Sequence, residues 1–248
     1  MQNSDKKPWL ICIDDTDDIG TKGTGEIAEE IAGLLSDDAQ QAIPMVTRHQ
    51  LFVHPDIPYT SHNSAMCFKL DSSKSFDEIK SIAVAHLLEQ SAEASDPGLA
   101  ILDLTADYHQ QALIEFGREA KSEVKTKQQA YLLAEQLGIS LTEHGGTGQG
   151  VIGALAGLGL RLYGMDGRVK GQIQFEKSGV SPLNVEAFLR QTGLDCVVST
   201  CGKQLGADES LFLTDKVKAI YWDHKFSLLV YSSEGRWCNA LKQHLKEY

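Results

Sequence analysis

The sequence predicts an α+β fold, with ferredoxin-like antiparallel sheets that carry helices on one face, arranged in two lobes. The first lobe is indicated by the order strand, helix, strand, strand, helix, strand along its first half. The second lobe is indicated by a further mixed run of strands and helices from residue 168. A length of 248 residues allows one large domain or two small ones. We place the lobes at residues 8–164 and 165–248, with the boundary at the glycines from Gly164 to Gly167.

The first strand is predicted at residues 9–13, and its unbroken apolar run indicates burial on both faces. The next segment, 26–35, has apolar residues at helical spacing, with Thr24 as a candidate N-cap. Similar patterns predict strands at 43–53, 65–70 and 98–102, a helix from Ser75 or Asp77 to Gln90, helices at 106–121 and 127–137 (the latter ended by Gly138), and a glycine-rich helix that follows Gly150.

In the second lobe, a strand is predicted at 169–175. Ser181 and Pro182 are expected to open a helix, with serine as the cap and proline at the first position. A short strand at 196–200 and a hairpin over 218–231, turning at Asp223-His224, follow. Residues 237–246 are expected to form a closing helix.

Composition limits the function classes. The formal net charge of −11 argues that RNA binding would need a local basic patch rather than the whole surface. The five cysteines include no Cys-x-x-Cys pair, which favours a reducing compartment and argues against a zinc ribbon. No signal-like or membrane-spanning apolar run is present, so we expect a cytoplasmic protein with no membrane partner.

The densest polar cluster directly follows the first strand. Asp14, Asp15, Asp17 and Asp18 lie within five positions, and a glycine- and threonine-rich loop then leads into a helix. Carboxylate oxygens suit Mg²⁺, whereas backbone N–H groups at a glycine turn and helix start suit phosphate. Four neighbouring carboxylates also repel one another unless a cation is present. The alternative is a solvated acidic loop beside a helix start.

A second glycine-rich segment runs from residue 143 to residue 159. It contains G-x-G-x-x-G at Gly148, Gly150 and Gly153, but no convincing acid completes a dinucleotide-binding pattern. The segment could contact phosphate at a helix start, or its small residues could allow close helix packing. The sequence leaves both interpretations open.

Several motifs together resemble the archaeal isoleucine-tRNA 2-agmatinylcytidine synthetase family. The resemblance begins with Ile13-Asp14-Asp15-Thr16-Asp17 and Thr24. Further matching segments are Ile57-Pro58-Tyr59-Thr60, Asn63-Ser64-Ala65, Asp96-Pro97-Gly98, 150–156 and, more weakly, 223–231. They occur in the family's order and cover most of the chain.

This resemblance implies a catalytic part made of a kinase-like and a ferredoxin-like domain, which uses ATP to join agmatine to a cytidine of an isoleucine tRNA. By analogy, Asp14, Asp15 and Asp17 would hold Mg²⁺ and the ATP phosphates, with Thr24 at a phosphate. The residues expected to complete the nucleotide pocket are Thr16, Gly23, Gly25, Asn63, Gly148 and Gly150. The nucleotide-binding lobe would be residues 8–164.

The chain also departs from the family pattern. We expect neither the OB-fold nor the zinc ribbon that grips tRNA, and Gln149 stands where the family tends to have arginine. The segment 163–217 is longer than its equivalent. The resemblance therefore implies an ATP site and a small polar or nucleoside-like acceptor, with tRNA bound weakly or through a partner. The alternative function class is a nucleotide-binding sensor without chemistry.

The loop from His54 to Asn63 joins two strands and is restrained by two prolines. We assign Arg48, Tyr59 and His62 to acceptor binding, since loops on a rigid scaffold carry specificity. The alternative is a surface hairpin with incidental histidines.

Overall fold

The computed structural model describes residues 6–38, 42–57, 63–176 and 182–248. The chain divides into two compact units, Met1–Tyr163 and Gly164–Tyr248. Each unit has its own helices and strands.

The first unit contains a sheet with helices on both of its faces. Its elements are, in order, β1 (Lys7–Asp14), α1 (Thr24–Leu35), β2 (Thr47–Gln50), β3 (Ser64–Ser72), α2 (Phe76–Gln90), β4 (Gly98–Asp103), α3 (Gln110–Glu119), α4 (Lys127–Leu137), β5 (Ser140–Glu143) and α5 (Gly150–Tyr163).

The strand order in this unit is β5-β4-β1-β3-β2, and every neighbouring pair is antiparallel. Without β5, the order β4-β1-β3-β2 with α1 and α2 as crossovers is the ferredoxin-like arrangement. The α+β class and the antiparallel sheet predicted from the sequence are therefore confirmed. The short strand β5 is an addition that the sequence did not predict.

Alternate residues of β1 supply two hydrophobic cores. Trp9, Ile11 and Ile13 face buried residues of α1 and α2, whereas Leu10 and Cys12 face α3, α4 and α5. Burial of β1 on both faces agrees with its unbroken apolar sequence. The expectation of helices on one face applies to α1 and α2 only, because α5 packs across the other face.

Two predicted helix signals are confirmed in the first unit. Ser75 caps α2 and forms a reciprocal capping box with Glu78, which satisfies donors at the helix start. Gly138 ends α4 in the left-handed conformation with φ of 67°.

The second unit is a mixed sheet with one short helix against it. Its elements are β6 (Arg168–Val169), β7 (Leu183–Asn184), α6 (Val185–Thr192), β8 (Cys196–Ser199), β9 (Ser210–Phe212), β10 (Ala219–Trp222), β11 (Lys225–Ser233), β12 (Arg236–Asn239) and a final 3₁₀ turn (His244–Glu247). The strand order is β6-β10-β11-β12-β9-β7, and β8 pairs parallel with β11.

One predicted turn of this unit is confirmed. Asp223 and His224 form the tip of the β10–β11 hairpin, and both have positive φ, 52° and 58°, as a two-residue hairpin turn requires.

Three other expectations for this unit are wrong. The strand expected at 169–175 is confined to Arg168–Val169. The helix expected from Pro182 begins at Val185, where the side chain of Asn184 accepts from the N–H of Ala187. The closing helix is replaced by strand β12 because β11 supplies a pairing edge, which outweighs local helical spacing. The expected cap residue Ser181 lies outside the described residues.

Within the described parts of the chain, none of the helices combines the length and the apolarity that a bilayer-spanning segment needs.

Candidate functional site

Strand register brings the predicted site residues to one edge of the first unit's sheet. Asp14 pairs with Gly98 of β4, and Gly98 pairs with Glu143 of β5. On the other side, Ile13, Met66 and Arg48 lie in one row across β1, β3 and β2. The end of β1 is therefore flanked by the start of β4 and the ends of β2 and β5.

The start of α1 lies beside the carboxylates that follow β1. Gly23, rather than Thr24, is the N-cap residue, which corrects the cap expected from the sequence. Thr24 is the first helical residue, and its hydroxyl donates a hydrogen bond to the Asp17 carboxylate. A side chain on Gly23 would meet no atom within 4 Å, so open space lies beside this helix start. Gly25 is buried in the first turn of α1.

Asp14 is a buried acid, with 7% of its surface exposed. Burial, followed by the charges of Asp15 and Asp17, raises its pKa well above the ordinary value of an aspartate. Its carboxylate lies against Gly153 of α5, where a Cβ atom would overlap Asp14 Oδ2. Gly153 therefore gives the carboxylate its space.

Asp15 has a left-handed backbone conformation, with φ of 54°. Burial, the Asp96 charge and the Asp17 charge raise the pKa of Asp15 to about 6. The Asp15 and Asp96 carboxylates thus repel each other from segments that are far apart in sequence. A cation between such carboxylates would relieve their repulsion.

Asp96 is a site residue that the sequence analysis did not assign. Its carboxylate accepts from the Thr147 N–H at 2.6 Å, from the Thr147 hydroxyl, and from the Gln149 N–H at 3.4 Å. Burial opposes ionisation, but these hydrogen bonds prevail and lower the pKa of Asp96. The Asp-Pro-Gly segment before β4 was the available signal in the sequence.

The second glycine-rich segment packs closely against the sheet. A Cβ on Gly150 would overlap the backbone of Asp96 and approach that of Gly98, and one on Gly157 would overlap Cys12 Sγ. The Gly150 N–H donates to the Asp96 carbonyl at 3.1 Å. Packing thus accounts for these glycines, while phosphate contact by Gly148 and Gly150 stays a prediction.

Thr16 is fully buried, and its backbone carbonyl accepts from the Ala92 N–H at 2.9 Å. Within the described residues, its hydroxyl oxygen has no hydrogen-bond partner. An unsatisfied buried hydroxyl is costly, so this position has capacity for a further polar contact.

Arg48 and Asn63 lie at the same edge but bond within the scaffold. Arg48 donates to the Ser64 hydroxyl at 3.0 Å and to Gln50 Oε1 at 3.1 Å. The Asn63 amide donates to the Phe52 carbonyl at 2.6 Å. Tyr59 and His62, the other proposed acceptor residues, lie outside the described residues.

The donor set at this edge suits a hard cation. Mg²⁺ in phosphate-transfer sites takes one or two carboxylates and completes its shell with phosphate oxygens and water. Among the described residues, no group of three or more His, Cys, Asp and Glu side chains is arranged to hold a metal by itself. The ligand set Asp14, Asp15 and Asp17 therefore stays a prediction.

A ferredoxin-like sheet with an acidic strand end between two helices defines the class of fold and site. Comparison with solved structures narrows the class to the fold of TiaS, an agmatidine synthetase that acts on an isoleucine tRNA. The chain is similar to TiaS in complex with that tRNA and ATP, with a TM-score of 0.55 and 21% identity over 72% of this chain. It is also similar to TiaS in complex with the same tRNA, AMPCPP and agmatine, with a TM-score of 0.53 and 21% identity over 73% of this chain.

The resemblance predicted from the motifs is thus confirmed at the level of fold. The matched region covers 42% and 43% of the two TiaS chains, so the chain spans less than half of their length. No protein-family model and no curated protein matches the sequence.

Proposed function

We propose that this protein is a Mg²⁺-dependent, ATP-using enzyme that transfers a phosphoryl group to, or ligates, a cytidine-like or small polar acceptor. One observation carries the proposal: Asp14, Asp15 and Asp17 meet the start of α1 at one sheet edge. The similarity to a protein crystallised with ATP supports it.

The acidic residues would bind the metal, and the helix start would bind phosphate. Mg²⁺, when bound, supplies charge neutralisation on the phosphate oxygens. The pKa values of Asp14 and Asp15 are raised chiefly by burial and then by neighbouring carboxylate charges, so a cation would stabilise their ionised forms.

The start of α1 contributes backbone N–H groups and the positive end of the helix dipole. Asp17 orients the Thr24 hydroxyl within the first turn. The open space beside Gly23 allows an anion to approach that backbone.

The acceptor would lie on the β2–β3 side of the edge, near Arg48, Tyr59 and His62. The acidic character of the edge favours a cationic acceptor among small polar molecules. Agmatine is a first candidate, because a similar structure was crystallised with it. A tRNA cytidine is the larger alternative, bound weakly or with the help of a partner.

Calorimetry with Mg²⁺ and an unhydrolysable ATP analogue tests the site. The Asp14→Asn/Asp15→Asn double variant should lose metal-dependent binding. Asp18→Asn is the matched control, because the Asp18 carboxylate accepts from the neighbouring Ile19 N–H and should leave binding unchanged. Unchanged affinity in the double variant would show that the nucleotide does not bind here.

Turnover separates the enzyme from the sensor. We expect ATP consumption when agmatine, other small amines or an isoleucine tRNA transcript is supplied. If the protein binds ATP but no acceptor raises ADP or AMP release, the non-catalytic ATP-binding module is the correct function.

A further inference from the structure

A polar cluster lies next to the acidic edge and is not explained by the proposed function. It consists of Lys127 at the start of α4, Glu143 at the end of β5 and the turn that contains Thr147 and Gly148. Lys127 forms an ion pair with Glu143 and also donates to the Thr147 carbonyl at 2.6 Å.

Strand register fixes the distance of this cluster from the acidic loop. Asp14, Gly98 and Glu143 lie in one row across β1, β4 and β5. Neighbouring strands are about 4.8 Å apart, so the backbones of Asp14 and Glu143 are separated by about 10 Å. A nucleotide triphosphate that contacts Asp14 can therefore reach the cluster.

Asp96 connects the two regions electrostatically. Its charge acts on Asp15, and it also acts on Lys127. The same carboxylate is bound by Thr147, whose carbonyl accepts from Lys127. Lys127 is therefore a cation on the border of a site that is otherwise dominated by carboxylates.

The turn is shaped around the ion pair. Gly148 has φ of 73°, and a Cβ there would overlap the Glu143 carboxylate and come within 2.7 Å of Lys127 Nζ. Tyr131, one turn further along α4, completes the surroundings, since burial and the Glu143 carboxylate raise the pKa of its hydroxyl. Donor groups from α4 thus surround an internal anion.

The ion pair is exposed enough to open. The side chain of Lys127 is 29% exposed and that of Glu143 is 45% exposed. Exposed ion pairs contribute little to stability, so an incoming phosphate can compete with the Glu143 carboxylate for the lysine.

We infer that Lys127 is a second phosphate-binding residue of the site, and that Glu143 is an internal competitor whose carboxylate leaves Lys127 when a nucleotide phosphate binds. The inference rests on the proposed function, because the phosphate is that of the nucleotide. It assigns opposite effects to the two partners of one ion pair.

Calorimetry with Mg²⁺-ATP and with inorganic triphosphate tests this assignment. Lys127→Met should weaken both ligands about tenfold, and Lys127→Arg should restore most of the affinity. Glu143→Gln should tighten both ligands by about two- to fivefold, because it removes the competing charge.

Lys125→Met is the matched control. Lys125 also forms ion pairs, with Glu119 and Glu123, but the contacts of its ammonium group do not involve the glycine turn. It should bind both ligands like the unmodified protein. Thermal unfolding of every variant separates folding defects from binding defects.

A merely structural ion pair predicts a different pattern, in which Lys127→Met and Glu143→Gln both lower the melting temperature and neither tightens binding. That result would overturn the inference. If the unmodified protein binds ATP while both variants bind it equally well, only the inference fails. If the unmodified protein binds no ATP, the inference and the proposed function are both wrong.

Discussion

The carboxylate of Asp14 lies against the Cα atom of Gly153, in space that any larger residue at position 153 would occupy. One helix therefore determines where the first acid of the loop is held. The two residues belong to segments that the sequence analysis treated as separate motifs.

Gly153→Ala should displace the Asp14 carboxylate and reduce Mg²⁺-ATP affinity. Its Cβ would overlap Asp14 Oδ2 and lie 3.0 Å from Leu51 Cδ1. Overpacking of this kind costs about 1–3 kcal/mol of stability. Calorimetry and chemical denaturation measure the two effects.

Gly33→Ala is the control for that substitution. At this helical position, a Cβ would make only ordinary contact, 3.7 Å from Ile43 Cδ1. Replacing a mid-helix glycine should stabilise α1 by about 0.5–1 kcal/mol. ATP affinity should stay unchanged; equal binding losses in the Gly33 and Gly153 variants would refute the specific role of Gly153.

Gly157→Ala should be partly rescued by Cys12→Ala. The new Cβ would overlap Cys12 Sγ and lie 3.0 Å from the Cβ of Ala65. Shortening Cys12 removes the first of these clashes, so we expect a favourable coupling energy of about 1 kcal/mol.

Denaturation of the two single variants and the double variant measures that coupling. Strict additivity would mean that α5 and β1 adjust independently at this contact. The corresponding pair Gly33→Ala and Cys12→Ala should be additive, because Cys12 and the buried side of α1 belong to different cores.

Asp15→Asn should stabilise the ligand-free protein at pH 8. The pKa of Asp15 is raised to about 6, so the folded state binds a proton more tightly than the unfolded state. Ionisation of Asp15 therefore opposes folding above that pKa, by about 1 kcal/mol after allowance for solvent screening. Asparagine removes the charge and tolerates the left-handed conformation.

The stabilisation should decrease as the pH is lowered through 6, since the wild-type carboxyl then becomes protonated. Free energies of unfolding at about pH 5 and about pH 8, on either side of that pKa, measure the difference. A gain of equal size at both pH values would assign the effect to backbone conformation rather than charge.

Isolated protein should bind tRNA weakly at about 0.15 M salt, because a net charge of −11 repels phosphate and neutralisation of phosphates supplies most non-specific affinity. Filter binding over a range of salt concentrations measures this. Tight binding with a steep salt dependence would instead reveal a local basic surface.

The sequence predicted elements whose causes are local. The continuous apolar run of β1, the Ser75 cap and the Asp223-His224 turn each depend on neighbouring residues, and all three are present. Strand β12 was mistaken for a helix because its apolar spacing is helical, whereas its pairing with β11 is a tertiary effect.

The site was predictable only on the side formed by β1 and α1. Asp96 was overlooked as a site residue because its hydrogen-bond donors, Thr147 and Gln149, lie far away in sequence. The choice between phosphate binding and packing for the glycine segment likewise depended on its closeness to Asp96, Gly98 and Cys12.

The position of β1 in the centre of its sheet also affects how the chain is made. The ribosome releases β1 well before its partners β3 and β4, since Ile13 pairs with Met66 and Leu99. Until those strands emerge, the apolar run from Trp9 to Ile13 has no sheet to join, and such non-local pairing slows folding. Newly made chains therefore expose a sticky segment during synthesis, which makes this protein dependent on chaperones when it is expressed at high levels.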